Sequence, residues 1–218
     1  MLDGPRLPPR SGKAKQLVVF LHGYGADGND LIDIGREWQS ALPDAAFVSP
    51  HAPEPCGGAP YGRQWFPLTF RDPDERWRGV QSALPVLNAF LDAELQKNNL
   101  PADALALVGF SQGAMMSLHV GLRRAIAPAG IVAYSGVLVA PEGPGPAAMK
   151  GEVTSRPPVF LVHGDQDQVI PPEALFFSFQ GLATLEVPAT FHVSKGVGHG
   201  IDADSMRFGA EFLKRSFD

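Results

Sequence analysis

The sequence predicts an α/β fold with a mostly parallel central sheet and helices on both faces, and three observations predict it. Six short segments rich in β-branched residues or Phe recur along the chain, stretches with helical periodicity separate most of them, and the runs Leu17–Leu21 and Val159–Val162 are continuously apolar. A continuous apolar run suits a strand covered on both faces, whereas a half-exposed strand would alternate. Strands alternating with helices then imply parallel connections.

Taken in order, the strand candidates are 16–22 (QLVVFLH), 45–49, 104–110, 129–135, 158–164 and 189–195, and the helix candidates are 29–41, 75–98, 112–125, 171–184 and 203–216. Asn29 and Asp202 read as helix starts, and Pro85 should kink or divide the second helix. Residues 1–15 read as irregular. Two stretches heavy in Gly and Pro, 50–73 and 136–157, resist the alternation, and long loops of that kind in a compact domain are often functional. No repeat or linker divides the chain, so a single domain over 1–218 is expected.

A formal net charge of −5 with scattered Lys and Arg offers no basic surface to a phosphate backbone, so nucleic acid is not an expected partner. The single cysteine, Cys56, has no partner for an internal disulfide. No apolar run approaches the roughly 20 residues of a spanning helix, and the start, MLDGPRLPPRSGKAK, lacks the apolar stretch of about 7–15 residues in a secretory signal. The expectation is a soluble cytoplasmic protein without integral membrane association. The sequence leaves a homodimer open.

The chemistry begins at Gly109-Phe110-Ser111-Gln112-Gly113, a G-x-S-x-G turn. The pattern gains its weight from context, because the apolar run 104–108 enters it and the helical stretch from Gln112 leaves it. Such a junction exposes the serine Oγ on a tight, strained turn whose glycines leave room for the backbone. A serine hydroxyl needs an adjacent base, usually a His held by a carboxylate. Downstream, in the order Ser, Asp, His of an α/β-hydrolase, come His163-Gly164-Asp165-Gln166-Asp167 after one strand and Gly198-His199-Gly200 after the next. Residue chemistry alone leaves Asp165 and Asp167 both open.

The remaining histidines have quieter readings. His119 falls on the helix after the turn and His192 within a strand, His22 and His163 precede glycines at strand ends where an imidazole can stiffen a turn, and His51 stays open. No H-x-x-x-H or H-E-x-x-H spacing occurs, so neither a metal site nor a cofactor is expected.

An oxyanion needs backbone N–H donors. One belongs to the residue after the nucleophile, Gln112, and the other to the loop after the first core strand, Leu21-His22-Gly23-Tyr24-Gly25-Ala26-Asp27-Gly28-Asn29. Gly23, Gly25 and Gly28 also spell G-x-G-x-x-G. A dinucleotide site would require an acidic residue closing a second strand about 20 residues on, where Val48-Ser49-Pro50 stands instead.

Together LHGYGADGNDL (21–31), RQWF (63–66), GFSQGAMM (109–116), HGDQDQVIP (163–171) and GHGID (198–202) resemble the phospholipase/carboxylesterase family, which includes acyl-protein thioesterases. The likeness runs from about residue 16 to the end. It implies an α/β-hydrolase fold, a triad of Ser111, Asp167 and His199, and the N–H groups of Tyr24 and Gln112 as the oxyanion hole. It also selects Asp167 over Asp165, and it implies a small-molecule ester or thioester, including lysophospholipids, as substrate. No long insertion interrupts the alternation after Ser135, where this fold often carries a cap, so minimal or no cap is expected.

Residues 61–70 (YGRQWFPLTF) carry four aromatics and a leucine on a loop. Such residues can cover the core or wall an acyl pocket, and the expectation is the pocket, with Trp65, Phe66 and Leu68 as substrate-binding residues. A non-catalytic binding protein, a cysteine-dependent hydrolase and a peptidase are the rival classes. The full triad opposes the first, Ser111 in the turn opposes the second, and the length, too short for gating domains, opposes the third.

Overall fold

The computed structural model describes residues 2–218 apart from positions 58, 60, 70 and 73. In chain order the strands are β1 (Arg6–Leu7), β2 (Gln16–Leu21), β3 (Ala45–Val48), β4 (Glu54–Pro55), β5 (Arg63–Gln64), β6 (Leu105–Phe110), β7 (Gly130–Tyr134), β8 (Val159–Gly164) and β9 (Ala189–Ser194). The α-helices are α1 (Ile32–Trp38), α2 (Glu75–Lys97), α3 (Gln112–Gly121), α4 (Glu173–Thr184) and α5 (Ala203–Phe217). Strands β4 and β5 form a separate antiparallel pair, and the other seven make one sheet in the order β1-β3-β2-β6-β7-β8-β9. All neighbours in it are parallel except β1 against β3.

The continuous apolar runs are explained by a sheet buried on both sides. Val18, Phe20, Ala106, Val108, Val132 and Val162 pack with Ile32 and Trp38 of α1 and Leu213 of α5. Their alternates, Leu17, Val19, Leu107, Ile131 and Leu161, pack on the other face with residues of α2, α3 and α4. Strands β2, β3, β6, β7 and β8 therefore each supply two cores with a period of two.

Strand order grows outward from β2, with β3 on one side and β6 to β9 on the other, so the order reverses beside β2. Loops at the carboxyl ends of such strands form the natural crevice of an open α/β sheet. The register sharpens this: Leu21 of β2 is level with Gly109 of β6, and Gly164 of β8 with Ser194 of β9. The loops after β2 and β6 thus leave the sheet side by side, and so do those after β8 and β9.

Three local expectations change. Residues 1–15 are not wholly irregular, because Arg6 and Leu7 pair with Val48 and Phe47. Arg6 also forks onto the buried carboxylate of Glu94 on α2, with Nη2 to Oε1 at 2.6 Å and Nε to Oε2 at 3.1 Å. Helix α1 starts at Ile32 rather than near Asn29, since the Asp27 carboxylate accepts from the Asn29 N–H at 2.7 Å and forms a turn there. Helix α2 is not divided at Pro85, which lies on its exposed face with Gln81, the residue whose carbonyl loses its helical partner. Asp202 is a true N-cap, accepting from the Ser205 N–H at 3.1 Å.

Candidate active site

Strand β6 ends at Phe110 and α3 begins at Gln112, so Ser111 alone reverses the chain, at φ 54° and ψ −116°. A non-glycine residue held there stores on the order of 1–3 kcal/mol of strain. The surroundings enforce it: a Cβ on Gly109 would stand 2.3 Å from the Gly113 carbonyl oxygen, and one on Gly113 only 1.8 Å from that of Leu21. Ser111 does not cap α3 with its side chain. Ser111 lines a cleft of about 500 Å³ that His199 also lines.

His199 and Asp167 meet across the paired ends of β8 and β9, with Nδ1 2.7 Å from Oδ2. The other carboxylate oxygen accepts from the backbone N–H groups of Val169 at 2.8 Å and Ile170 at 2.9 Å. Burial alone would push the Asp167 carboxyl up, but the bonds from His199, Ile170 and Val169 together hold it below the usual carboxylate range. Asp167 is thus an ionised acceptor, and a neutral His199 bonded to it through Nδ1–H keeps Nε2 as its basic atom. Asp165 does something else, accepting from the Gly196 N–H at 2.6 Å and so tethering the loop that carries His199. The two carboxylates that residue chemistry left open thus hold different partners, an imidazole for Asp167 and a backbone N–H for Asp165.

Gln112 is the first residue of α3, where a backbone N–H has no partner within the helix. The Tyr24 N–H likewise meets no acceptor among the described residues, and Tyr24 and Gln112 both line the cleft. Close approach again demands glycine: a Cβ on Gly28 would stand 2.1 Å from the Ser49 carbonyl oxygen. The three glycines of the G-x-G-x-x-G spelling thus serve separate local needs: Gly28 packs on the end of β3, Gly25 holds a φ of 82°, and a Cβ on Gly23 would crowd the Phe110 ring at 3.2 Å.

The expected acyl wall needs correction. Leu68 lines the cleft, but Trp65 and Phe66, at 1% and 0% exposure, turn inward and pack with Val80, Ala83 and Leu87 of α2. They do not line the cleft. Two ring-sized apolar groups gain more by filling the space between α2 and the sheet than by standing at its rim. Tyr61 is exposed, and Phe70 lies outside the described residues. The apolar lining comes instead from Leu68, Met115, Val169, Ile170 and Pro171, with Arg71 and Arg76 at the rim. Met115 had a sequence signal, since it stands one helical turn after the elbow.

His22 is fully buried, and because its Nε2 accepts from the Ala52 N–H at 3.0 Å, its proton sits on Nδ1, which donates to the Gly23 carbonyl at 2.8 Å. His163 Nε2 bonds the Ile170 carbonyl at 2.9 Å, and His51 Nδ1 accepts from the Gly28 N–H at 3.1 Å. All three stiffen turns around the cleft. Among the described residues no group of three or more His, Cys, Asp or Glu could hold a metal ion, and no helix is long and apolar enough to cross a membrane.

The profile of the family described as Phospholipase/Carboxylesterase matches residues 3–217. The chain is 28% identical over 201 residues to esterase YpfH of Escherichia coli K12, covering 92% of this chain and 83% of that protein. It is 26% identical over 221 residues to acyl-protein thioesterase 1 of Neurospora crassa, covering 96% and 90%. Among solved structures, esterase PE8 superposes with a TM-score of 0.92 at 44% identity over 98% of both chains. The strand order, the strained serine between β6 and α3 and these full-length likenesses agree: the chain belongs to the phospholipase/carboxylesterase family and is a carboxylic ester hydrolase of the α/β-hydrolase fold.

Proposed function

We propose that the chain is a cytoplasmic serine carboxylesterase that cleaves esters of short to medium acyl chains through an acyl-enzyme, with Ser111 as nucleophile, His199 as base and Asp167 as its anchor. The observation that carries this reading is a serine held in a strained elbow, in one cleft with an imidazole whose far nitrogen is bonded to a buried carboxylate. His199 Nε2 takes the hydroxyl proton as Ser111 Oγ attacks the acyl carbon, and Asp167 stabilises the imidazolium. The N–H groups of Tyr24 and Gln112 receive the developing oxyanion. His199 then returns the proton to the leaving alkoxide, and water repeats the sequence on the acyl-enzyme. The apolar lining consists of Leu68, Met115, Val169, Ile170 and Pro171, and each methylene buried on it is worth about 0.8 kcal/mol, which supports a preference for short to medium acyl groups. The same attack opens a thioester, a second reading favoured by the name of the Neurospora relative.

The test is kcat on p-nitrophenyl butyrate. Ser111→Ala and Asp167→Asn should each lower it by roughly 10⁴-fold, and Asp165→Asn by far less. Turnover surviving in Ser111→Ala, or equal losses at the two aspartates, would overturn the assignment.

A further inference from the structure

The two oxyanion donors sit on separate elements, Tyr24 on the loop after β2 and Gln112 at the start of α3, and their spacing has to be held by something bonded to both. One segment does this. The Trp65 backbone N–H donates to Gln112 Oε1 at 2.9 Å, and Gln112 Nε2 donates to the Phe66 carbonyl at 2.8 Å, so the amide of Gln112 is locked on both of its ends. From the same residue the indole Nε1–H donates to the His22 carbonyl at 2.9 Å. On the other side of Tyr24 the Gly25 N–H donates to the Arg63 carbonyl at 2.9 Å, and the Arg63 N–H to the Ala26 carbonyl at 2.8 Å. Tyr24 is therefore bracketed by bonds to residues 63–65, and Gln112 is clamped by 65 and 66. The approach is tight, for a Cβ on Gly62 would stand 2.2 Å from the Gly25 carbonyl oxygen. Trp65, Gln112 and His22 are all at most 1% exposed, so these bonds face no competition from solvent.

We propose that Trp65 is a positioning residue of the oxyanion hole, a brace that fixes the separation of its two donors by bonding the nucleophile side through its backbone and the Tyr24 loop through its indole. The proposal rests on the triad and oxyanion reading above and adds a residue that touches no substrate. Its chemistry is specific. The ring fills a core position that any large apolar group could occupy, but only the indole N–H reaches the His22 carbonyl. Preorganised donors count because they need no rearrangement when charge develops, and removing one costs on the order of 10²–10³-fold in kcat. A brace that lets one drift should cost part of that, about 10–10²-fold.

The test replaces the indole N–H and keeps the ring shape, by incorporating β-(3-benzothienyl)alanine at position 65, with Gln112→Met as a second variant, uncharged and of similar size, that removes both the acceptor for the Trp65 N–H and the donor to Phe66. For each, kcat and KM on p-nitrophenyl butyrate are measured with the inhibition constant of an alkyl boronic acid, whose tetrahedral serine adduct uses the hole, and with the melting temperature. The expected result is kcat lower by about 10–10²-fold, KM nearly unchanged and boronate affinity weakened by a similar factor, in variants that melt cooperatively. Wild-type kcat and boronate affinity in both folded variants would overturn the brace, as would a fall in kcat with boronate affinity intact. A parallel Ser111→Ala assay separates the two readings: turnover surviving there overturns the triad itself, whereas loss there beside unaltered position-65 kinetics overturns the brace alone.

Discussion

The two Gly- and Pro-rich stretches, 50–73 and 136–157, look alike in composition and end in different service. The first spends its backbone groups and its indole on the loops that carry Tyr24 and Gln112, and it sends Leu68 into the cleft. The second spends its polar groups on the helices. The Leu138 N–H donates to Ser178 Oγ on α4 at 2.8 Å, Ser155 Oγ donates to the Gly121 carbonyl of α3 at 2.7 Å, and Met149 is fully buried in the core. Irregular backbone must place its hydrogen bonds somewhere. Where it places them, and not its glycine content, decides whether a loop shapes a site or seals a core.

The comparison breaks most visibly at its packing residues. Met149→Ala should cost about 2–5 kcal/mol of stability by opening a cavity, with kcat per folded molecule unchanged, as read by thermal melts alongside active-site titration. A large kcat loss there would place the second stretch in the site after all. Leu68→Ala should do the opposite: a melting temperature within a few degrees of wild type, and kcat/KM on hexanoate relative to acetate esters lower by several-fold, since about three buried carbons are removed at about 0.8 kcal/mol each when fully covered. An unaltered acyl profile would move the acyl wall to Met115 and the Val169–Pro171 segment.

How much of this was legible differs by the kind of signal. Continuous apolar runs exposed β2, β6, β7 and β8, which are buried on both faces, whereas β9 was readable from its β-branched residues and Phe although most of its side chains are partly or fully exposed. The elbow was readable because the turn's sterics admit few residues at 109, 111 and 113. The order of motifs pointed to His199 and to the pair Asp165 and Asp167, and only the family resemblance chose Asp167, the carboxylate that His199 meets at 2.7 Å. Periodicity is silent inside loops, so Trp65 read as pocket wall when its burial depends on α2 folding over it and on a carbonyl at His22, 43 positions away. The readable hint was chemical: a buried indole usually seeks a hydrogen-bond acceptor, whereas one lining an acyl wall has none. Strand β1 was hidden for a related reason, since two residues in a Pro-rich segment become a strand only because β3 offers an edge and Glu94 a charge.

Each stretch lies near a buried imidazole, and the burial of both rings contributes to the acid limb of stability. His22 is pushed down to about 4 by burial, although its bond to Gly23 works the other way, and His119 to about 3, again by burial and then by Arg123. Both lie below the ordinary imidazole value of 6.5, so the unfolded chain binds more protons than the folded one as pH falls through that value. Stability is complete above it and is lost on the way down to about 4 for His22 and about 3 for His119, each with a slope of up to about 1.4 kcal/mol per pH unit. Melting temperatures from pH 7 to 4 should fall accordingly, and a flat profile would sink the assignment of both rings as buried and neutral.

His119 offers the finer test. The first stretch gives His22 a donor at Ala52, whereas no bond from the second reaches the His119 ring: Glu152 pairs with Arg123 at 2.7 Å, and both ring nitrogens of His119 are without a partner among the described residues. An unsatisfied buried polar group costs about 1–3 kcal/mol, and His119 meets Trp77 edge to face at 5.6 Å, a contact worth about 0.5–1.5 kcal/mol that a leucine would forgo. The polar cost outweighs the ring contact. His119→Leu should therefore raise the melting temperature at pH 7 by a few degrees, make the acid limb shallower by one imidazole, and leave kcat alone. His22→Leu should lower the melting temperature and kcat together, because it strands the Ala52 N–H and loosens the loop that carries Tyr24. Equal responses at the two positions would show that hydrogen bonding supplied by the first stretch does not distinguish them.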